Sequence, residues 1–196
     1  GSFQKSEEEI VEELESILLE SFRYRLVADV PVGIFLSGGL DSSTVAALLR
    51  NRTGAPTKTF TIGFHEKGYD EAPFAKRIAH YLGTEHHELY CTKEMAASVI
   101  PQLPDMYDEP FGDSSAIPTH LISKFAREQV KVVLSGDGGD ELFGGYPKYA
   151  ALEWYQRGLG SLPPLLSRSL AAGLALFSPE AAEGLYENIL PSSLRK

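Results

Sequence analysis

Two kinds of segment alternate along the chain. The first kind is short, mostly apolar and bounded by turn residues, and the second kind is longer and has helical periodicity. The short segments predict four strands, at residues 32–36, 57–64, 85–90 and 130–134. The longer segments predict helices at residues 6–27, 44–50, 71–82, 92–107, 116–129 and 142–155. Because strands and helices alternate, the pattern predicts βαβ crossovers and an α/β fold, with a parallel sheet and helices on both faces.

Local signals define several of the predicted helix ends. Ser6 followed by Glu9 is the pattern of a capping box, and Gly83 predicts the end of the 71–82 helix. Pro101 and Pro104 predict an interruption or bend in the 92–107 segment, and two glycines at 144 and 145 predict a break near the start of the 142–155 segment. The first helix carries one apolar face, formed by Ile10, Leu14, Ile17, Leu18 and Phe22.

The same pattern divides the chain into three parts. Residues 1–28 are expected to form an amphipathic helix that packs on the α/β domain at 29–160. Residues 161–196 predict a helical extension, with helices at 165–177 and 179–189. The chain begins with Gly-Ser and ends at Lys196 without a stop signal, so we expect an excised piece of a longer protein with a truncated extension.

Composition excludes several classes of protein. A net charge of −9 leaves no basic surface for nucleic acid, and we find no apolar run of membrane-spanning length. The single Cys91 excludes an internal disulfide and a cysteine zinc cluster, which favours the reducing cytoplasm. His86 and His87 lack partners at metal-ligand spacing, so we expect them to be residues of a strand edge.

A glycine turn follows the first strand, with the sequence Ser-Gly-Gly-Leu-Asp-Ser-Ser at residues 37–43. Gly38 and Gly39 allow backbone N–H groups to point at an anion beside the positive end of the following helix. Asp41 would repel a phosphate unless a cation lay between them, and we infer Mg²⁺. A chance turn between strand and helix is the alternative. Neither a Walker A sequence nor Gly-x-Gly-x-x-Gly is present.

A second turn, Ser-Gly-Asp-Gly-Gly-Asp-Glu at residues 135–141, follows the fourth strand. Ligands of parallel sheets bind beyond the carboxyl ends of the strands, so we expect both turns at one edge. Asp41 would then face Asp137, Asp140 and Glu141, and Mg²⁺ shared with phosphates would remove the repulsion between these carboxylates. The alternative is a solvated acidic turn that caps the next helix.

These segments carry a family resemblance. The first turn resembles the PP-loop of the N-type ATP pyrophosphatases, which cleave ATP between the α- and β-phosphates. Together with Thr-Phe-Thr-Ile-Gly-Phe at 59–64, Asp-Glu-Pro-Phe-Gly-Asp at 108–113 and the second turn, it resembles the synthetase domain of glutamine-dependent asparagine synthetases over residues 8–160. GMP, NAD and argininosuccinate synthetases share only the first turn.

The resemblance implies an adenine nucleotide alpha hydrolase-like, Rossmann-like fold that uses ATP and Mg²⁺. Aspartate would be activated as β-aspartyl-AMP, and ammonia would then displace AMP to give asparagine. The implied phosphate-binding residues are Ser37, Gly38, Gly39, Asp41 and Ser42. The implied adenine-binding residues are Phe35, Leu36 and Ile62, while Ser135 and Gly136 flank the ribose and α-phosphate.

The remaining roles are also implied by resemblance. Asp41 and Asp140 would bind Mg²⁺, and Asp137 would help to form the adenylate at a position where many relatives have Glu. The amino-acid side of the pocket would be formed by the 108–115 loop, through Asp108, Asp113 and Ser114, together with Tyr146. This loop carries three carboxylates, and a solvated turn is its alternative interpretation.

Two departures from the family pattern limit the expected activity. The chain lacks the N-terminal cysteine of the glutaminase half, and it ends before the segment that carries a later lysine near the phosphates. We therefore expect it to bind ATP but to perform the full reaction poorly or not at all. Ammonia would be supplied by a glutaminase domain outside this chain, and a homodimer is one expected assembly of the full-length protein. Alternatives are a related synthetase of a β-lactam, lasso-peptide or exopolysaccharide-associated product, or a nucleotide-binding module without turnover.

Overall fold

The computed structural model describes residues 5–53, 57–66, 68–109, 111–158 and 166. The chain forms two compact units, Gly1–Asp137 and Gly138–Lys196, and each is described by itself. The helices predicted at 165–177 and 179–189 lie outside the described residues, apart from residue 166.

The first unit is built on four parallel strands with helices between them. Its strands are β1 (Val32–Phe35), β2 (Lys58–Phe64), β3 (Glu85–Cys91) and β4 (Val132–Leu134). Its helices are α1 (Glu7–Leu26), α2 (Leu40–Thr53), α3 (Ala72–Leu82), α4 (Lys93–Val99), α5 (Leu103–Met106) and α6 (Ala116–Arg127), with a 3₁₀ turn at Ile100–Gln102. The strand order is β3-β2-β1-β4, and every pair is parallel.

The strand order creates a switch point between β1 and β4. The chain winds outward from β1 through β2 to β3, and then returns to place β4 on the free side of β1, with Ile34 beside Leu134. This is the arrangement of a doubly wound, Rossmann-like sheet, in which ligands bind where the winding direction reverses. The predicted α/β class is confirmed, and both glycine turns follow the two strands at the switch point.

Helices cover both faces of the sheet. On one face, Ile34 and Leu36 pack with residues of α2 and α3, and Phe22 and Leu26 of α1 lie against the same cluster. On the other face, Phe60 packs under α6, and a neighbouring cluster joins β2 and β3 to α4 and α6. The alternating directions of side chains along β1 place successive residues on opposite faces.

The predicted signals at the start of α1 and at the end of α3 are confirmed, whereas the predicted packed face of α1 and the predicted start of β4 are corrected. Ser6 and Glu9 form the capping box, and Gly83 ends α3. Ile17 was predicted on the packed face of α1, but it is 58% exposed, because the contacts of α1 with the core come from Phe22 and Leu26 near its C-terminal end. Strand β4 begins two residues later than predicted, because the Val130 nitrogen donates to the Ala126 carbonyl at 2.9 Å and closes the end of α6.

The segment predicted as one bent helix at 92–107 divides as its prolines require. It consists of α4, the 3₁₀ turn and α5, and Pro101 and Pro104 occupy early positions of the second and third pieces. Cys91 is buried at the end of β3, where burial raises the pKa of its thiol. The predicted strand-edge position of His86 and His87 is confirmed, since β3 lies at one end of the sheet.

The described part of the second unit contains two helices, α7 (Gly139–Phe143) and α8 (Pro147–Gly158). The predicted break at Gly144 is present, since this residue ends α7 in the left-handed conformation. Across the described residues of both units, we find no helix with the length and apolar character needed to span a membrane.

Candidate nucleotide-binding site

The first glycine turn joins the carboxyl end of β1 to the start of α2. Gly38 has a φ of +88°, which glycine adopts without steric strain. A Cβ at this position would lie 2.8 Å from Phe74 Cβ and 2.9 Å from the Ala75 nitrogen, both in α3. The turn is therefore packed against the start of α3, and only glycine fits there.

Serine hydroxyls hold the turn in shape. The Ser37 nitrogen donates to Ser42 Oγ at 3.2 Å, the two hydroxyls lie 3.0 Å apart, and the Gly39 nitrogen donates to Ser37 Oγ at 3.2 Å. The Ser43 hydroxyl donates to the Gly39 carbonyl at 2.6 Å. Ser42 is only 7% exposed, so its hydroxyl is engaged inside the turn. Its contact with a phosphate stays a prediction.

Helix α2 begins four residues earlier than its predicted core, at Leu40, so that Asp41 lies in its first turn. The partial positive charge at this end of the helix favours an anion. In the preceding turn the N–H groups of Ser37 and Gly39 donate to serine hydroxyls, whereas the N–H of Gly38 donates to no described residue. Asp41 is half-buried. The predicted combination of turn, helix start and carboxylate is therefore present in one short segment.

Two hydrogen bonds join strand β2 to Leu36, the residue that precedes the first glycine turn. The Leu36 nitrogen donates to the Phe60 carbonyl at 2.9 Å, and the Thr61 hydroxyl donates to the Leu36 carbonyl. Leu36 is 1% exposed, so its side chain belongs to the core and only its backbone could face a base. Phe35 and Ile62 are half-buried on the opposite face of the sheet, where they pack on the cluster around Phe60. The adenine-binding roles of these residues stay predictions.

The second turn closely approaches the first. A Cβ on Gly136 would lie 2.7 Å from the Ser42 nitrogen and 3.0 Å from Asp41 Cβ. The backbone at Gly136 therefore contacts the N-terminal end of helix α2, where the first glycine turn ends. The Ser135 hydroxyl donates to Asp137 Oδ2 at 2.9 Å, and both residues are exposed. The prediction that the two turns meet at the carboxyl edge of the sheet is confirmed for residues 135–137.

The acidic residues after Gly138 belong to the second unit. Asp140 and Glu141 lie in the first turn of α7, and the Gly145 nitrogen donates to the Asp140 carbonyl at 3.0 Å. The Tyr146 hydroxyl donates to Glu141 Oε1 at 2.6 Å. This hydrogen bond raises the pKa of Tyr146 to about 12 and lowers the pKa of Glu141. Lys148 Nζ lies 4.3 Å from the centroid of the Tyr146 ring.

The loop predicted for the amino-acid side leads into α6. The Ser115 nitrogen donates to Asp113 Oδ1 at 2.8 Å, and this hydrogen bond lowers the pKa of Asp113. The ring of Phe111 stacks on Tyr107 with centroids 4.3 Å apart. Asp108 and Ser114 are exposed. The loop has the irregular course that was predicted, and its contacts with a substrate stay predictions.

Carboxylate oxygens such as those of Asp41 are suitable ligands for Mg²⁺, but the described residues do not form a complete set of protein ligands for the ion. Among the described residues, no three His, Cys, Asp or Glu side chains are grouped so that they could hold a metal ion. Mg²⁺ commonly takes one or two carboxylates and completes its octahedron with water and substrate phosphates. Asp41, beside the first glycine turn, is a donor of this type. The pairing of Asp41 with Asp140 stays a prediction.

Sequence reasoning did not identify a pocket beside the first turn. This pocket, of about 310 Å³, is lined by Gly38 and by four residues of α3, namely Phe74, Arg77, Ile78 and Tyr81. The last three of these residues follow Phe74 by three, four and seven positions, which is the spacing of one helix face. That spacing was available in the sequence, but it would have been interpreted as the packed face of an amphipathic helix. Tyr81 is 88% exposed.

Fold and turns together define a doubly wound α/β protein with two glycine turns at its switch point. The chain belongs to the asparagine synthase family, whose family model matches residues 13–193. The predicted resemblance is therefore confirmed.

Curated relatives support the same assignment. The chain is 49% identical over 138 residues to a putative glutamine-hydrolysing asparagine synthetase 2 of Methanocaldococcus jannaschii, covering 70% of this chain and 27% of the relative. It is 38% identical over 146 residues to glutamine-hydrolysing asparagine synthetase 1 of Bacillus subtilis, covering 74% and 23%. It is also 32% identical to the amidase chry2 of Gibberella zeae, covering 95% and 30%. The chain thus spans about a quarter of the length of these relatives.

A solved structure is also similar. The NH3-dependent NAD synthetase of Campylobacter jejuni aligns with a TM-score of 0.47 and 15% identity, over 97% of this chain and 90% of that one.

Proposed function

We propose that this chain is the ATP-binding part of an asparagine synthetase that activates the side-chain carboxylate of aspartate. The observation that carries the proposal is the contact between the two glycine turns, because Gly136 approaches the Ser42 nitrogen closely enough to exclude a Cβ. This contact brings the segment that carries Asp137 to the same sheet edge as the first glycine turn. Family membership supports the choice of an adenylating ligase over other nucleotide-binding proteins.

The proposed reaction has two steps. A carboxylate oxygen of aspartate attacks the α-phosphorus of ATP, the bond to the β-phosphate oxygen breaks, and pyrophosphate leaves. The nitrogen of ammonia then attacks the activated acyl carbon, the bond to the phosphate oxygen breaks with loss of a proton from nitrogen, and AMP leaves. Mg²⁺, when bound, would neutralise charge on the phosphates.

The chain's own residues would contribute binding and orientation. The turn at 37–43 and the start of α2 would hold the β- and γ-phosphates through backbone N–H groups, and Asp41 would hold Mg²⁺. Ser135 and Gly136 would border the ribose and α-phosphate. Asp137, whose carboxylate is already oriented by Ser135 at 2.9 Å, would lie beside the reacting carboxyl.

Isothermal titration with Mg²⁺ and ATP tests the binding site directly. We expect Asp41→Ala to weaken Mg²⁺-dependent ATP binding by about tenfold or more, because removing the carboxylate removes a metal ligand. Asp105→Ala is the matched control, since Asp105 is an exposed aspartate of α5. Equal binding by both variants would reject the assigned role of Asp41. Equal binding of AMP and ATP without Mg²⁺ would indicate a nucleotide-binding module without turnover.

A second candidate differs only in the acid that is activated. Relatives named amidase chyE and amidase chry2 match the chain, at 36% and 32% identity, so similar sequences occur in proteins that are not named asparagine synthetases. Pyrophosphate release by the full-length protein, measured with aspartate and with a panel of other carboxylic acids, separates the two. Release with another acid and none with aspartate would favour the second candidate.

A further inference from the structure

Arg77 carries a positive charge at the pocket beside the first glycine turn. Its guanidinium carbon lies 5.0 Å from the centroid of the Phe74 ring. Within the described residues, no carboxylate lies within 4.0 Å of it, although the chain carries a net charge of −9. Stacking uses the face of the guanidinium and leaves the N–H groups at its edge available for an anion.

The first glycine turn borders the same pocket through one residue, Gly38. Gly38 lines the pocket, and within the described part of the chain its N–H donates no hydrogen bond. Arg77 follows Phe74 by three residues, which is about 4.5 Å along the axis of α3. Because Gly38 packs on Phe74, an anion held at the turn is within reach of the arginine side chain.

The arrangement favours phosphate over a nucleobase. The guanidinium of Arg77 already lies over one face of the Phe74 ring, so a base could stack on that face only by displacing the arginine. A phosphate needs N–H donors and positive charge, and both border this pocket. Its volume of about 310 Å³ accommodates two linked phosphates.

We propose that Arg77 binds the terminal phosphates of the nucleotide, and the pyrophosphate released from them, in the pocket between the first turn and α3. The proposal rests on the proposed function and adds a phosphate-binding residue to the site. Since pyrophosphate is the leaving group of the adenylation step, Arg77 would hold it at the outer end of the turn. AMP, which lacks these phosphates, would bind without contacting Arg77.

Isothermal titration of this chain with ATP, pyrophosphate and AMP, each with Mg²⁺, tests the proposal. We expect Arg77→Ala to weaken binding of ATP and pyrophosphate by about tenfold or more and to leave AMP binding unchanged. Arg77→Lys keeps a charge without the planar fork, so we expect an intermediate loss. Arg127→Ala is the control, because Arg127 is an exposed arginine at the end of α6, which covers the other face of the sheet.

The outcomes separate this proposal from the proposed function. If ATP binds and Arg77→Ala binds ATP and pyrophosphate as tightly as Arg127→Ala, the role of Arg77 is rejected and the proposed function stands. If Arg77→Ala loses AMP as well, the pocket holds the nucleoside and the proposal is also rejected. If the parent chain binds pyrophosphate through Arg77 but does not bind ATP, the proposed function is rejected, and only the pyrophosphate-binding role of Arg77 stands. Binding of neither ligand by the parent chain rejects both.

Discussion

Gly136→Ala tests the contact between the two turns most directly. The added Cβ would lie 2.7 Å from the Ser42 nitrogen and 3.1 Å from the Asp41 carbonyl carbon. Both neighbours are backbone atoms in the first turn of α2, so they cannot move aside as a flexible side chain would. Overpacking of this kind costs about 1–3 kcal/mol of the free energy of unfolding. A chain of this size would lose roughly 2–4 °C in melting temperature for each kcal/mol.

Gly112→Ala provides the matched control. A Cβ on Gly112 meets no atom within 4 Å, and its backbone is not in the left-handed region. Both substitutions lower the entropy of the unfolded chain in the same way, so the difference between them isolates the steric cost at Gly136. Urea unfolding followed by circular dichroism gives the two free energies of unfolding.

Ligand binding shows whether the same contact shapes the site. We expect Gly136→Ala to weaken Mg²⁺-dependent ATP binding at a temperature where the variant is still folded, because pushing the second turn outward displaces Asp137 and the start of α2. Equal stability of the Gly136 and Gly112 variants would refute the contact. A destabilised variant with unchanged ATP affinity would show that the contact supports the fold but not the site.

Three further predictions concern single hydrogen bonds or protons. Burial lowers the pKa of His86 below 6.5, so the unfolded chain binds a proton more readily than the folded chain does. We therefore expect the free energy of unfolding to decrease as the pH drops below 6.5, and urea midpoints across this range measure the loss. Thr61→Val removes the buried hydroxyl that donates to the Leu36 carbonyl, and we expect a loss of about 1–3 kcal/mol in urea unfolding. Glu141→Gln should lower the pKa of Tyr146 from about 12 toward its ordinary value of 10.0, as measured by ultraviolet titration against Tyr146→Phe.

Each of these has its own control. The pH dependence should diminish in His86→Gln, and an unchanged slope would assign it to other groups. Thr119→Val replaces an exposed threonine of α6 and should cost little, so an equal loss in both threonine variants would contradict the role of the buried bond. An unchanged titration of Tyr146 in Glu141→Gln would show that another group perturbs the phenol.

The site could be predicted from sequence as far as local chemistry extends. An anion-binding turn is indicated by a strand that is followed by Gly38, Gly39 and Asp41. The signals are local, because the freedom of the glycine backbone and the charge of the carboxylate belong to neighbouring residues. The alternation of strands and helices likewise predicts a parallel sheet, since right-handed crossovers leave few other topologies. Ile17 lies on the predicted apolar face of α1 but is exposed, because helical periodicity does not reveal how far along a helix the packing extends.

The sequence by itself determined the elements, the two glycine turns and the family. Only the tertiary structure decided that Gly136 touches the start of α2, that Thr61 supports the end of β1, and that Arg77 lies beside Gly38 without a carboxylate partner among the described residues. Each of these facts joins residues far apart in the chain. Such contacts depend on strand order and on which helix face meets the sheet, and those follow from the packing of the whole unit.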